Sequence, residues 1–332
     1  MPLPERLGRL RRVERLGAGG FATVWLYHDD ELDSDVAVKA LADNWAQRLD
    51  VRERFLEESR ILRRADSDHV VRVYDIGEED DTPYFVMTYA DAGSLERLTS
   101  NGVQVAPARV LDLISQAGEG LRVLHELGVI HRDIKPPNLL LRSTRDGGVR
   151  VLVADLGVAK AELHASGLTQ VVGTPAYMAP EQAGGLGVDK RADIHALAAV
   201  TYHLLTGAPV REGGLAELAH ASLPPPPSSI AEVPVAVDQV LLTALDPDPE
   251  ARFSDVNGFV DALRTALSHE PTASDSEAVP ERVREPAPGV DRPVVRPDIS
   301  RPDISRPFLV TVFLVVLAVS FGLTYALATG RF

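Results

Sequence analysis

Four side chains in two short stretches are of the types that move a phosphoryl group. His131-Arg132-Asp133-Ile134-Lys135-Pro136-Pro137-Asn138 sets an acid, an ammonium and an amide within one loop. Asp155 follows the apolar run Val151-Leu152-Val153-Ala154, which reads as a buried strand. Phosphoryl transfer asks little covalent chemistry of a protein. It needs a group to orient the attacking hydroxyl, and cations to offset charge on the polyphosphate. Asp133 suits the acceptor proton, Asn138 and Asp155 offer the hard oxygens that Mg²⁺ takes, and Lys135 is a compact point charge for the moving phosphate.

Other elements must bring a nucleotide to this loop. Arg11 to Leu16 and Val24 to Tyr27 read as strands around Gly17-Ala18-Gly19-Gly20-Phe21-Ala22-Thr23, where missing Cβ atoms let backbone amides approach phosphates. Val36-Ala37-Val38-Lys39 ends an apolar strand in an ammonium, whose burial demands an anionic partner. The next helix, expected from Trp45 to Arg64, offers Glu57 and Glu58. Val70 to Gly77 and Pro83 to Tyr89 read as strands joined by the acidic turn Glu78 to Asp81.

Together these stretches resemble the protein kinases. The Lys135-Pro136-Pro137-Asn138 continuation is similar to the serine/threonine branch. The resemblance implies an α+β, two-lobed fold with ATP and Mg²⁺ or Mn²⁺ between a sheet-rich lobe (1–89) and a helical lobe (90–268). It implies catalytic roles for Asp133, Lys135, Lys39 and Glu58, with Glu57 the alternative partner of Lys39. Nucleotide contacts fall to Gly17, Gly19, Ala22, Val24, Ala37, Lys39, Met87 and the backbone of Thr88 and Ala90; Asn138 and Asp155 hold the metal. Met87 is the gatekeeper of the adenine pocket, a place a plain core methionine also fits. The family pattern has glycine where this chain has Ala22 and Ala198, and most often phenylalanine where it has Leu156. Each substitute is small or apolar enough for the same slot.

In the second lobe, apolar residues three and four apart predict a helix from Ala106 to Leu127, ended by Gly128, with Ser94 capping a short helix before it. His125 and His131 are expected to be structural, the latter packed beneath the catalytic loop rather than acting as a base. Arg142 to Arg150 reads as an exposed connection. Gly173-Thr174-Pro175-Ala176-Tyr177-Met178-Ala179-Pro180-Glu181 resembles the peptide-binding end of a kinase activation segment. By that resemblance Thr174 meets Asp133 and Lys135, Glu181 pairs with Arg252, and Asp193 anchors the catalytic loop. Arg132 faces the activation segment, where phosphorylated Thr169, or Ser166, supplies an anion. Asp193 opens a central helix; Gly214 to Ala221 is expected as a short one, and Val235 to Leu245 and Asp255 to Leu267 as the last two.

The formal net charge of -14 and pI near 5.1 argue against a nucleic-acid partner, and the absence of cysteine excludes disulfides and thiolate chemistry. The amino terminus lacks the apolar run of a signal peptide. From 269 to 307 there are eight prolines in 39 residues and a repeated Arg-Pro-Asp-Ile-Ser, at Arg296 to Ser300 and Arg301 to Ser305, a composition that predicts a disordered linker. Phe308 to Ala328 holds no charge over 21 residues, long enough for one transmembrane helix. Arg292, Arg296, Arg301 and Arg306 before it and Arg331 after it predict a cytoplasmic kinase domain and a short outer tail, 329–332.

The whole is similar to bacterial eukaryotic-like serine/threonine kinases of the membrane-anchored type, here without a sizeable extracellular sensor domain. Implied partners are ATP, proteins with Ser or Thr acceptors, the lipid bilayer and, as an arrangement left open, a second copy in a homodimer. A pseudokinase scaffold at the membrane is the alternative, opposed by the retained Lys39, Glu58, Asp133, Lys135, Asn138 and Asp155. A small-molecule phosphotransferase is the other, opposed by the Thr174 to Glu181 platform.

Overall fold

The computed structural model describes residues 3–156, 175–184, 187–211 and 222–268. The chain divides into two compact units, Met1–Asp275 and Ser276–Phe332, and the second lies outside the described residues. So do the expected linker, membrane helix and outer tail, together with Ser166, Thr169, Thr174 and the Gly214 to Ala221 helix.

The first lobe is an antiparallel six-stranded sheet of β1 (Arg6–Leu7), β2 (Leu10–Ala18), β3 (Ala22–Asp29), β4 (Ser34–Leu41), β5 (Val73–Glu79) and β6 (Thr82–Thr88). The strand order is β1-β2-β3-β4-β6-β5. Register decides which side chains share a face. Lys39 lies opposite Val24 on β3 and Phe85 on β6, while Ala37 lies opposite Leu26 and Met87. Since residues two apart on a strand project to the same side, Val24, Ala37, Lys39, Phe85 and Met87 form one face. Val38, Ala40, Tyr27 and Val86 pack in a separate cluster with Leu3 and Leu7.

Two short elements differ from expectation. The helix from Trp45 is broken into α1 (Asp43–Ala46) and α2 (Leu49–Arg64), because Arg48 is extended at φ -92°, ψ 108°. The strand expected from Val70 begins at Val73. Val70 instead makes a parallel bridge to Val153, with Val71 N–H donating to the Val153 carbonyl at 3.0 Å and Val153 N–H to that of His69 at 2.9 Å. An amphipathic pattern in α2 buries Val51, Phe55, Glu58, Ile61 and Leu62. Phe55 meets Phe85 at 5.0 Å between ring centroids, which fixes the helix against the Lys39 face.

The second lobe is helical, with a two-stranded sheet, β7 (Leu139–Ser143) and β8 (Val149–Val153), carrying the site. These strands reach into the expected Arg142 to Arg150 connection and shorten it to Thr144–Gly148, closed by a Thr144 N–H bond to the Gly148 carbonyl at 3.0 Å. The short helix α3 (Glu96–Thr99) has Leu95 at its N-cap and no side-chain cap bond. Ser94 takes part through its carbonyl, which accepts from Arg97 N–H at 3.3 Å. Helix α4 (Pro107–Glu126) ends at Gly128, whose φ of +74° suits a residue without Cβ. The helix Arg191–Thr206 is buried along almost its whole length and organises this lobe; Ala236–Ala244 and Val256–Ser268 complete it.

Candidate active site

The catalytic loop is held from below by one buried carboxylate. Asp193, fully buried near the start of the central helix, accepts from the backbone N–H groups of His131 and Arg132 at 2.8 Å each. Its Oδ2 also lies 2.8 Å from His125 Nε2. A buried carboxylate is tolerated where donors satisfy it, and here the donors are the loop itself. Arg132 is held at φ +64° and Asp155 at φ +59°, left-handed backbone rarely adopted by residues with a Cβ, so surrounding bonds must enforce it.

His131 is fully buried. Asp133 N–H donates to its Nδ1 at 3.3 Å, which leaves the proton on Nε2 to donate to the Ala154 carbonyl at 2.9 Å. Burial pushes its pKa below the ordinary value, against the pull of Asp193 and Asp133. A neutral spacer joins the catalytic loop to the Asp155 strand end. His131 thus bonds the Ala154 carbonyl and His125 the buried Asp193.

Asp133, Lys135 and Asn138 meet above this floor. Lys135 Nζ donates to Asp133 Oδ1 at 3.0 Å; Asn138 Nδ2 donates to the Asp133 carbonyl at 2.7 Å and to Asp133 Oδ2 at 3.0 Å. The carboxylate is therefore fixed in rotation. Asp133 and Lys135 each keep 18% of the side chain exposed, so both remain within reach of a ligand. Asn138 is buried, and its backbone carbonyl accepts from Ala154 N–H at 3.0 Å, tying the two oxygen-bearing side chains to one backbone frame.

Across the cleft, Lys39 donates to Glu58 Oε1 and to Asp155 Oδ1, both at 2.7 Å. This selects Glu58 over Glu57, which is on the outer side of α2 with Arg60 at 3.2 Å. Burial would lower the Lys39 pKa, but the Asp155 and Glu58 charges outweigh it and raise the value, so the ammonium is kept. Lys39 Nζ also lies 5.6 Å from the centroid of Phe85, a contact that sequence reading did not single out. Its signal is register: Phe85 is the aromatic directly opposite Lys39.

The Gly-rich turn closes through Gly19 N–H donating to the Ala22 carbonyl at 2.8 Å, with Gly17 opposite Val24. Met87 is buried at the end of β6. Thr88 N–H donates to the Arg72 carbonyl at 3.0 Å, and Ala90 follows two residues on.

Below the loop, Arg252 and Glu181 form a two-pronged pair at 2.7 and 2.8 Å. The Arg252 side chain is fully buried and also donates to the Asp246, Arg191 and Pro247 carbonyls. Two contacts were not anticipated: Gln182 Nε2 donates to the Arg132 carbonyl at 2.8 Å, and Tyr177 OH lies 2.7 Å from His203 Nδ1. Both join the Pro175 to Gly184 stretch to its floor.

The sequence profile described as protein kinase domain matches residues 10–260. The chain belongs to the protein kinase family, and the matched segment is a kinase domain of the bacterial eukaryotic-like serine/threonine type. It is similar to serine/threonine-protein kinase Pkn1 of Myxococcus xanthus, 35% identical over 306 residues, 89% of this chain and 43% of that protein. It is similar as well to PknJ of Mycobacterium tuberculosis, 38% identical over 267 residues, 77% of this chain and 45% of that protein. The crystal structure of the Mycobacterium tuberculosis PknI kinase domain superposes with a TM-score of 0.63 at 28% identity, covering 79% of this chain and 97% of that domain. The chain spans less than half the length of these curated relatives.

Proposed function

We propose that this chain transfers the γ-phosphoryl group of ATP to serine and threonine hydroxyls of proteins, its own included. The observation that carries the reading is the pair of linked constellations: Lys39 bonded to Glu58 and Asp155, and Asp133 bonded to Lys135 and Asn138 over the Asp193 floor. A scaffold without chemistry has no need to hold Asp133 in rotation or to retain an ammonium in the cleft.

In this reading Lys39 contacts the α- and β-phosphates, oriented by Glu58, and the amides of the Gly17 to Ala22 turn lie along them. Ala37, Val24 and Met87, on the sheet face shared with Lys39, enclose the base, with the backbone of Thr88 and Ala90 at its edge. Asp133 accepts the proton of the acceptor hydroxyl, and Lys135 steadies the phosphate as it moves. Asn138 and Asp155 supply the oxygen donors that Mg²⁺ or Mn²⁺ prefers, two protein ligands being usual for a cation that retains waters and phosphate oxygens. When bound, that cation offsets charge on the triphosphate.

The lobes are assigned to 1–89 and 90–268, followed by a linker to 307, a membrane helix from 308 to 328 and a short outer tail. Support comes from the uncharged Phe308 to Ala328 run and the four arginines before it. Among the described residues no helix is long and apolar enough to cross a membrane. Thr169, with Ser166 as second choice, is proposed as the activating phosphosite that pairs with Arg132, and Thr174 as the residue that meets Asp133. Mass spectrometry of active protein should find phosphate on Thr169, and full activity of Thr169→Ala would reject that switch.

The test of the activity is transfer of radiolabelled γ-phosphate by the purified chain to itself, to a generic basic protein and to a panel of small metabolites, with and without Mg²⁺. Metal-dependent label on protein Ser and Thr is the expected result. Label on metabolites alone, or none at all, would reject the proposal.

A further inference from the structure

The tip of the Gly-rich turn is not a free hairpin. Trp45, on α1, donates its indole N–H to the Gly20 carbonyl at 2.8 Å, and its ring lies 5.0 Å from that of Phe21 at an interplanar angle of 36°. The Phe21 carbonyl accepts from Ala42 N–H, also at 2.8 Å. Three contacts therefore fasten residues 20 and 21 to residues 42 to 45. Arg48, the extended residue that breaks the expected helix, lies over the Trp45 ring, its guanidinium 5.7 Å from the centroid.

The position of this fastening in the chain gives it meaning. Ala42 follows directly on β4, three residues after Lys39, and α1 leads through Arg48 into α2, which bears Glu58. The turn that covers phosphates and the Lys39–Glu58 pair that contacts them are thereby held in one frame. An unfastened glycine turn samples many conformations and loses that freedom when it closes on a ligand; a turn already held incurs less of this loss.

We propose that Trp45 is a positioning residue that sets the Gly-rich turn over the nucleotide, acting through Gly20 and Phe21 without touching ATP itself. The proposal rests on the ATP-binding reading above, and calorimetric titration with Mg²⁺ATP tests that reading separately from the clamp. Trp45→Phe retains a ring against Phe21 and removes the donor; Trp45→Ala removes both. Mg²⁺ATP affinity should fall, and KM rise, about 3- to 10-fold for Trp45→Phe and on the order of 10-fold or more for Trp45→Ala, from one hydrogen bond and one ring contact. The kcat at saturating ATP should stay within about twofold, since tethering acts on nucleotide capture.

A spectroscopic readout separates positioning from general loss of fold. The chain has two tryptophans, and the other, Trp25, lies under Arg12 on β3. A Trp25→Phe variant leaves Trp45 as sole emitter. Its fluorescence should change saturably with Mg²⁺ATP at the midpoint found by calorimetry. Heat binding with neither a Trp45 emission change nor a weaker Trp45→Phe affinity would overturn the clamp, while absence of heat binding in the parent would overturn the nucleotide reading itself.

Discussion

At the scale of single residues, the two acids of the site differ in how each is held. Asp133 has its rotation fixed by Lys135 and Asn138, and Asp155 shares Lys39 with Glu58. These two acids are expected to fail differently. Asp133→Asn removes the acceptor for the hydroxyl proton and should lower kcat about 10²- to 10⁴-fold while leaving Mg²⁺ATP affinity within a fewfold. Asp155→Asn should weaken binding of the metal-nucleotide complex as well. Initial rates of autophosphorylation and calorimetric affinity for both variants check the split; parental turnover in Asp133→Asn would remove Asp133 from the role of base. Both residues were singled out in the sequence, Asp133 within its loop and Asp155 directly after an apolar run, by residue type and by the resemblance to the kinase pattern. Glu58 was preferred by the resemblance with Glu57 as the alternative, and the side of α2 that faces β4 agrees with that preference.

At the scale of elements, buried polar pairs hold the parts of the lower lobe in register. Arg252 reaches Glu181 from a loop 71 residues further along the chain, and its remaining donors are taken by three carbonyls. Removing one partner of a buried pair leaves an unsolvated charge. Arg252→Ala should therefore cost about 3–5 kcal/mol in urea unfolding. Arg252→Lys should recover only part of that, because an ammonium cannot reproduce the planar two-pronged contact. A loss under about 1 kcal/mol in the alanine variant would show the pair to be dispensable. The pair itself was expected, but the Gln182–Arg132 and Tyr177–His203 contacts were not. A glutamine beside a glutamate carries no periodic or motif signal, and its bond to the Arg132 carbonyl exists only because two distant loops are brought together.

At the scale of the molecule, three histidines in the described residues make the domain sensitive to acid. Burial pushes the pKa of His131, His195 and His203 below the ordinary value; for His195 the nearby Arg252 and Arg211 push the same way, and for His131 adjacent carboxylates oppose it only in part. A histidine whose folded pKa is depressed binds more protons unfolded than folded between its two values. Stability then rises with pH across that window, and it is lost as pH falls from the unfolded value near about 6.5 toward the folded one. The unfolding free energy should drop between about pH 7 and 5 with a slope of at most about 1.4 kcal/mol per pH unit for each histidine. Replacing His195 by Gln should flatten this slope, and a pH-independent midpoint across the window would count against the burial argument. The tail has its own test: fractionated cells should retain the full chain in membranes and release a version ending before Phe308. External protease should leave the kinase domain intact; a soluble full chain would reject anchoring, and external digestion the orientation.

From the sequence came the residue types and the elements around the site and, through the resemblance to the protein kinases, the kind of fold and the roles proposed for those residues. Lys39, Asp133, Asn138 and Asp155 sit in runs whose spacing and apolar flanks declare loop and strand, and local chemistry needs no tertiary information to be read. The tertiary structure decided where those groups meet. It chose Glu58 over Glu57 by the face that α2 buries, broke the expected helix at Arg48, began β5 at Val73 by drawing Val70 to Val153, and set Phe85 opposite Lys39. Each of these outcomes rests on packing between segments far apart in the chain, where the cost of burying a charge or leaving an amide unpaired is settled only once the partner arrives.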